Sequence, residues 1–181
     1  MTKTQYYTAT TLDGYIADEN NSLEWLFEVD RGDDPGDEFG TFFAEVGAMA
    51  MGATTYEWVL EHAAADWQKY YADTPGWVFT HRELPVVEGA NVTFVQGDVA
   101  PVHEDMRAAA RGKNIWLAGG GDLVGQFADQ GLLDEIYVGI APVTLGEGAP
   151  LLPRRLTASQ LELVQVSQRG QFVQAVYRIR K

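Results

Sequence analysis

Two stretches of the chain share a design that could hold an anion. Met51-Gly52-Ala53-Thr54-Thr55-Tyr56-Glu57 and Leu117-Ala118-Gly119-Gly120-Gly121-Asp122-Leu123 each read as a buried strand, a glycine corner and a helix. A corner without Cβ lets a ligand touch the backbone, and the following helix offers unpaired N–H groups and about half a positive charge. Those features bind phosphate. Two such corners on one sheet could hold the two ends of a dinucleotide, one helix N-terminus for the pyrophosphate and the other for the adenosine side. A lone Gly52 also serves as an ordinary helix-entry turn. Three consecutive glycines are harder to explain that way, because each costs roughly 0.5–1 kcal/mol relative to alanine in ordering entropy. The Rossmann fingerprint is not met, since Val124 stands where Gly119-x-Gly121 would need its third glycine.

Other chemistries lack their residues. There is no cysteine, which excludes a disulfide framework, a thiolate metal site and a cysteine nucleophile together. His62, His81 and His103 are scattered and form no zinc pattern, no EF-hand spacing occurs, and no metal site is expected. Neither a Gly-x-Ser-x-Gly elbow nor a Gly-Lys-Ser/Thr loop is present. Acids outnumber bases 26 to 13, for a net charge of −13, so the chain would repel nucleic acid and anionic membrane alike. The start lacks an apolar signal region, and no run approaches the roughly 18 apolar residues of a membrane span. A cytoplasmic location is the expectation.

The acids are concentrated. Between Asp13 and Glu38 ten acids face the single base Arg31, whereas Arg154 to Lys181 carries six bases against Glu162 alone. A solvated acidic loop with a basic hairpin edge accounts for this, as does an acidic rim around a substrate cleft. Within that loop Leu23, Trp25, Leu26 and Phe27 form an apolar plug, and Trp25 is the tryptophan placed to line a pocket. A loop of this length inside a compact domain is usually functional.

The elements that must position these residues follow from periodicity. Residues 5–10 and 15–17 read as strand and continuation around an Asp13-Gly14 turn. Phe39, Phe42, Phe43 and Val46 recur at helical spacing, and Ala48 to Met51 reads as a buried strand. Thr54 and Glu57 match a capping box with Thr54 at the N-cap, opening a helix to about residues 62–65. Residues 77–80 and 92–95 read as strands, 102–111 as a helix, 115–118 as a buried strand and 122–127 as a helix stopped by Gly131. Residues 133–141 read as a strand, and 161–167 and 172–180 as a hairpin turned at 168–171. Strands alternating with helices before a final hairpin predict a single α/β domain over residues 1–181 with a mixed sheet.

Five motifs in order carry a resemblance: Thr11-Leu12-Asp13-Gly14-Tyr15-Ile16-Ala17, Met51 to Glu57, Ile115 to Leu123, Leu132-Leu133-Asp134-Glu135-Ile136 and Pro142-Val143-Thr144-Leu145-Gly146-Glu147-Gly148. Together they resemble the dihydrofolate-reductase-like superfamily, in the branch of the C-terminal reductase domain of the riboflavin-biosynthesis deaminase-reductase and its stand-alone bacterial relatives. The resemblance implies a three-layer α/β/α sandwich on a mixed, mainly parallel sheet, NADPH as hydride donor, and a homodimer. By resemblance, Ala9, Ile16 and Ala17 would flank the nicotinamide. Gly52, Thr54 and Thr55 would meet the phosphates, and Thr80 and His81 the adenosine ribose. Gly119, Gly120, Gly121, Leu123 and Val124 would cradle the pyrophosphate and nicotinamide ribose. The proton-assisting acid would be Asp37 or Glu38, with Trp25 and Phe39 against the substrate. A carboxylate shielded by Trp25 and Phe39 should be pushed up in pKa, while the helix dipole opposes that shift.

Three departures accompany the match. Ala53 stands where the family usually has an arginine for the 2′-phosphate of NADPH, which admits NADH and leaves Arg82 as the nearby base to replace it. Tyr15 stands where riboflavin-pathway members have a base. Asp122 would repel a pyrophosphate unless its carboxylate caps the helix and faces away. The resulting expectation is an NAD(P)H-dependent oxidoreductase acting on a small heterocycle of pteridine or aminopyrimidine type, resembling 5-amino-6-(5-phosphoribosylamino)uracil reductase. A non-catalytic nucleotide-binding module of the same fold is the alternative.

Overall fold

The computed structural model describes residues 1–32 and 38–181. Strand β1 (Thr4–Thr11) turns into the short β2 (Tyr15–Ala17), and helices α1 (Glu24–Phe27) and α2 (Glu38–Ala44) lead to β3 (Val46–Gly52). Helix α3 (Ala53–His62), a 3-10 turn and α4 (Trp67–Tyr71) precede β4 (Gly76–Phe79) and β5 (Val92–Val95). Then come α5 (Val99–Ala110), β6 (Asn114–Gly119), α6 (Gly121–Asp129) and β7 (Glu135–Ala141). The two-residue β8 (Ala149–Pro150) and the hairpin of β9 (Leu161–Arg169) and β10 (Phe172–Ile179) close the chain.

Eight strands form one sheet in the order β5-β4-β3-β6-β1-β7-β10-β9, and β2 pairs with β8 beside it. β1 is parallel to both β6 and β7, and β3 is parallel to both β4 and β6. In the eight-stranded sheet of the described residues β10 alone runs antiparallel, against β7 and β9, and β2 and β8 also pair antiparallel. The predicted mixed, mainly parallel α/β sheet with its C-terminal hairpin is therefore the observed one. Side chains of β3 show how both faces are filled. Ala48 and Ala50 pack with Met106 of α5 and Phe127 of α6, while Met49 and Met51 point oppositely toward Tyr56 and Val59 of α3. The period of two in a run of small and large apolar residues thus builds a helix layer on each side.

Several local expectations shift. The helix predicted through Val46 ends at Ala44, and Val46 opens β3. None of its residues is fully buried. Its phenylalanine rings instead surround Trp116, with Phe39 and Phe43 at 5.3 and 5.9 Å between centroids. Helix α3 starts at Ala53 with Gly52 at the N-cap and no side-chain cap, so the Thr54–Glu57 capping box does not form. Glu57 is drawn instead to Arg82. Helix α5 starts earlier than its periodicity suggested, because Asp98 accepts from the Ala100 amide at 3.1 Å and so caps it. The plug in the acidic loop becomes α1, and Trp25 is buried with Ala141 and Phe172. No helix among the described residues is long and apolar enough to cross a membrane.

One buried imidazole resists taking a proton. His103 of α5 has its Nε2 2.8 Å from Thr4 Oγ1, and its Nδ1 has no partner among the described residues. Burial, reinforced by the charge of Arg107, holds its pKa below the ordinary histidine value, against the pull of Glu104 and Asp134. The unfolded chain therefore takes this proton first. The stabilisation is complete above about pH 6.5 and is lost as pH falls below it. His103→Gln should flatten the decline of Tm between roughly pH 7 and pH 5 relative to wild type. Equal slopes in the two proteins would show that His103 is not the group responsible.

Candidate functional site

The carboxyl ends of β3 and β6 lie side by side, with Met51 opposite Gly119. A Cβ on Gly52 would sit 3.7 Å from the amide nitrogen of Gly120, so the two glycine corners meet. Between them opens a cleft of about 390 Å³ lined by the first turns of α3 and α6 and by the end of β4. Like α3, α6 has a glycine N-cap, Gly120, and no side-chain cap. Two helices thus present uncapped first turns to one cleft, the arrangement an anion needs.

The three consecutive glycines serve different ends. Gly119 has φ +128°, and the Gly119–Gly120 peptide is cis. At Gly121 a Cβ would run into the carbonyl oxygens of Pro150 and, at 2.5 Å, Leu151. Its missing side chain therefore serves the packing of the loop after β8. At Gly120 a Cβ would meet nothing closer than Ile16 Cδ1 at 4.0 Å. Packing does not demand glycine there; the cleft stays open because of it.

Of the expected cofactor residues, the cleft brings together Gly52, Thr54, Thr55, Thr80, His81, Gly120 and Leu123. The Thr80 hydroxyl is occupied by a turn, accepting from the Arg82 amide at 2.9 Å and donating to the Arg82 carbonyl at 3.1 Å. Val124 is a correction: its side chain is fully buried in the core and its amide closes the helix onto the Gly120 carbonyl. Ala17 is likewise buried, paired with Ala149. Arg82 is also a correction, because its guanidinium is held bidentately by Glu57 at 2.6 and 2.9 Å. Sequence reading missed Gln96, Gly97 and Gln126, which line the same cleft. Val95-Gln96-Gly97 before α5 is a third strand–glycine–helix corner, disguised because Asp98 caps that helix.

Ala9 lies in a second cavity of about 320 Å³ with Tyr7, Leu26, Phe39 and Phe172 among its walls. Phe39 lines this cavity. Trp25 does not: the largest apolar side chain of the loop serves as its buried anchor, and its neighbour Leu26 faces the cavity. Glu38 is not shielded by Trp25 and Phe39 either. Its carboxylate accepts from Arg169 at 3.2 Å, is 43% exposed, and borders a different cavity with Tyr7, Phe42 and Tyr137. Asp37 lies outside the described residues.

Asp122 neither caps α6 nor stands alone. It accepts from Arg154 Nη1 and from Gln126 Nε2, both at 3.1 Å, and Arg154 also holds Asp129 at 2.7 Å. The repulsive charge beside the corner is thereby offset by a cation from the loop after β8. The β1–β2 turn is tied down as well. Asp13 accepts from Thr11 Oγ1 at 2.6 Å and from the Gly146 amide at 2.8 Å, contacts that hold its carboxyl below the usual range. Tyr15 donates to the Gly146 carbonyl at 3.3 Å.

Comparison with known proteins fits this geometry. The family model for the RibD C-terminal domain matches residues 2–175. The chain belongs to this family. It is 32% identical over 181 residues to the uncharacterized protein YwjB of Bacillus subtilis (strain 168), covering 97% of each chain. Among solved structures it is similar to a putative riboflavin biosynthesis protein from Shewanella sp. PV-4 (26% identity, TM-score 0.81, 99% of each chain). It is also similar to the diaminohydroxyphosphoribosylaminopyrimidine deaminase/5-amino-6-(5-phosphoribosylamino)uracil reductase of Thermotoga maritima (15%, TM-score 0.68, 99% of this chain and 57% of that one). Dihydrofolate reductase from Enterococcus faecalis, complexed with NADP(H), shares the fold (16%, TM-score 0.61, 99% and 97%). The fold is of the reductase type. Within the RibD C-terminal family frame, the Leu-Asp-Gly and Leu-Gly-Glu-Gly motifs bind each other and so tie two loops together.

The two corner glycines should separate in experiment. Gly121→Ala should destabilise the protein by roughly 1–3 kcal/mol, because the loop carbonyls cannot move aside. Gly120→Ala should keep a near-native Tm and fill only cleft. Equal Tm losses in thermal melts of the two variants would contradict this assignment.

Proposed function

We propose that this chain is an NAD(P)H-dependent reductase of a small heterocycle, of pteridine or aminopyrimidine type, working as a homodimer. The observation that carries the reading is the meeting of two uncapped helix N-termini at Gly52 and Gly120 in one cleft. The open position at Gly120 fits a pyrophosphate, since a Cβ there would fill cleft rather than core. When bound, the nicotinamide cofactor supplies the hydride.

The chain's own residues bind, orient and exclude water. First-turn amides of α3 and α6 hold the phosphates, His81 and Thr80 border the ribose, and Ile16 closes over Gly120. Phe39, Leu26 and Phe172 give the acceptor a largely apolar wall. Because Glu38 is engaged by Arg169, proton delivery falls in this reading to Asp37 or to solvent. Dimerisation is supported by β9, whose outer edge is unpaired and whose Leu163, Val164 and Val166 are exposed, an edge that invites pairing with another chain.

Titration with NADPH and NADH by tryptophan fluorescence, beside oxidation followed at 340 nm with pteridine and pyrimidine acceptors, tests the reading. Gly120→Val should abolish binding with unchanged far-UV circular dichroism; unchanged affinity would overturn the site. Binding without turnover across the panel would favour the nucleotide-binding module.

Discrimination between the cofactors should be weak, within about tenfold, because Ala53 offers no charge and Arg82 is occupied. Ala53→Arg should raise the NADPH preference, and Arg82→Ala should leave it unchanged. A strong preference in the wild type would refute this. Arg154→Gln should weaken cofactor binding roughly 3–10-fold by uncovering Asp122, and adding Asp122→Asn should restore it. No recovery in the double variant would mean that Arg154 acts through the loop instead.

A further inference from the structure

The acidic segment after the β1–β2 turn carries an aromatic surface that the cofactor reading leaves unused. Burial of Trp25 fixes the roll of α1, and at about 100° per residue Phe27, two positions on, is turned away from the core. It is left 60% exposed. Its ring lies nearly parallel to that of Trp58 on α3, with centroids 6.4 Å apart and 21° between the planes. Trp58 is stacked in turn with His62 at 4.6 Å and 13°, and His62 Nδ1 lies 2.9 Å from the Trp58 carbonyl oxygen. Residues 54, 58, 61 and 62 share the outer face of α3, because Tyr56 and Val59 are the ones buried with Met49 and Met51. Between that face and the loop 20–27 lies a groove of about 620 Å³, within the size range of small-molecule sites.

The charge of this groove is negative and uncompensated. Glu24 and Glu61 line it, both are exposed, and neither carboxylate has a hydrogen-bond or ion-pair partner among the described residues. Residues 33–37, which lie outside the described ones, contain no base. Glu57 is held by Arg82, and no Lys or Arg lines the groove. The loop wall is set by its own hydrogen bonds. The Asp18 carboxylate accepts from the amides of Asn20 and Ser22, both at 2.8 Å, and Ser22 Oγ accepts from the Glu24 amide at 3.2 Å. Carboxylates alone would make only a solvated face. Here they flank two aromatic rings, whose negative faces attract a cation as the carboxylates do, and whose apolar bodies exclude water. The field of a chain at −13 draws cations toward it.

We propose that this groove binds a small organic ammonium ion, an alkylated nitrogen on an apolar body, with Trp58 and Phe27 against its alkyl shell and Glu24 and Glu61 facing its charge. An alkylated ammonium is weakly hydrated and leaves its water for an aromatic wall, whereas the compact ammonium of a lysine keeps a strong hydration shell. The last turn of α3, which carries Glu61, is also the negative end of that helix, and it draws the charged nitrogen there. Thr54 lines both this groove and the cleft between the glycine corners, so the two ligands are neighbours. Binding of the cation needs no cofactor and stands apart from the reductase reading.

Calorimetry with two matched pairs tests this: choline against its neutral carbon isostere dimethylbutanol, and benzyltrimethylammonium against benzyl alcohol. Wild type should bind each cation at least about fivefold more tightly than its neutral partner, and the preference should shrink as NaCl is raised from about 20 to 500 mM. Trp58→Leu should lower cation affinity roughly 3–30-fold, and Trp58→Phe less, because the smaller ring keeps a weaker cation–π contact. Glu24→Gln and Glu61→Gln should each cost the cations roughly 2–5-fold and leave the neutral compounds unchanged. Asp105→Asn, exposed on α5 across the sheet, should change neither. Equal affinity for cation and neutral partner overturns the proposal, as does no binding of either cation up to about 20 mM. An equal loss in Asp105→Asn would also overturn it, since that marks only diffuse attraction to an acidic chain. A change of oligomeric state in Trp58→Leu, seen by sedimentation, would overturn it by giving the groove to a second copy of the chain.

Discussion

The site depends on one constraint: β3, β6 and β1 are neighbouring parallel strands, so their carboxyl ends share one edge of the sheet. Parallel pairing requires each strand to return through a crossover, and a helix that follows its strand directly must begin at that edge. Helices α3 and α6 both do so, within one residue of β3 and two of β6. Their positive ends can converge only if the corner backbones come close, and glycine at 52 and 120 permits that approach. The cleft between adjacent strands, the candidate anion site, is therefore a product of topology first and of side chains second. It explains why the cleft has so few charged residues of its own.

The two ends of β1 are built differently. At its start, charges and hydrogen bonds fasten the sheet. The Thr4 amide donates to Asp134 at 2.8 Å, Lys3 pairs with Glu135 at 2.6 Å, and Gln5 donates to the same carboxylate at 2.9 Å. Burial pushes Glu135 up, but these donors and the Lys3 charge outweigh it and hold the carboxyl below its ordinary value. At the other end the strand opens into cavities, and stiffness comes from loops bound to loops: Asp13 on the 145–146 amides, Arg154 on Asp122 and Asp129. Stability is concentrated on one edge of the sheet, which leaves the other edge free to shape a site.

What could be read from the sequence follows the same division. Strand β3 and the corners at Gly52 and Gly119–Gly121 were legible because alternation and glycine runs are local signals. The C-terminal hairpin was legible for the same reason. Long-range partners were not. Thr54 and Glu57 have capping-box spacing, yet Arg82, 25 residues away from Glu57, takes the carboxylate. Such an exposed pair is worth only about 0–1 kcal/mol, so a capping box would have been a near-equal alternative. Trp25 was placed against substrate because an aromatic in a polar loop suggests a pocket; burial of its large apolar surface decided otherwise. The contact of the β9–β10 turn with residues 30–32 could not be found by any local rule, since about 140 residues separate the Asp30 carbonyl from the Gln171 amide that donates to it.

The charge distribution then has a single physical reading. A net charge of −13 slows the approach of every anion, including a phosphorylated cofactor, but screening confines that field to about 8–10 Å at moderate salt. Inside the site the relevant groups are much nearer. On the proposed reading the cleft between the glycine corners would meet phosphate with neutral amides at helix ends, and its one described acid, Asp122, is paired with Arg154. Amides that are already oriented bind phosphate without the cost of ordering long side chains. Guanidiniums add a charge that discriminates between acidic and neutral ligands of the same ring size. An acidic chain can thus admit an anion through fixed dipoles at its helix ends, without the further discrimination that arginine would add.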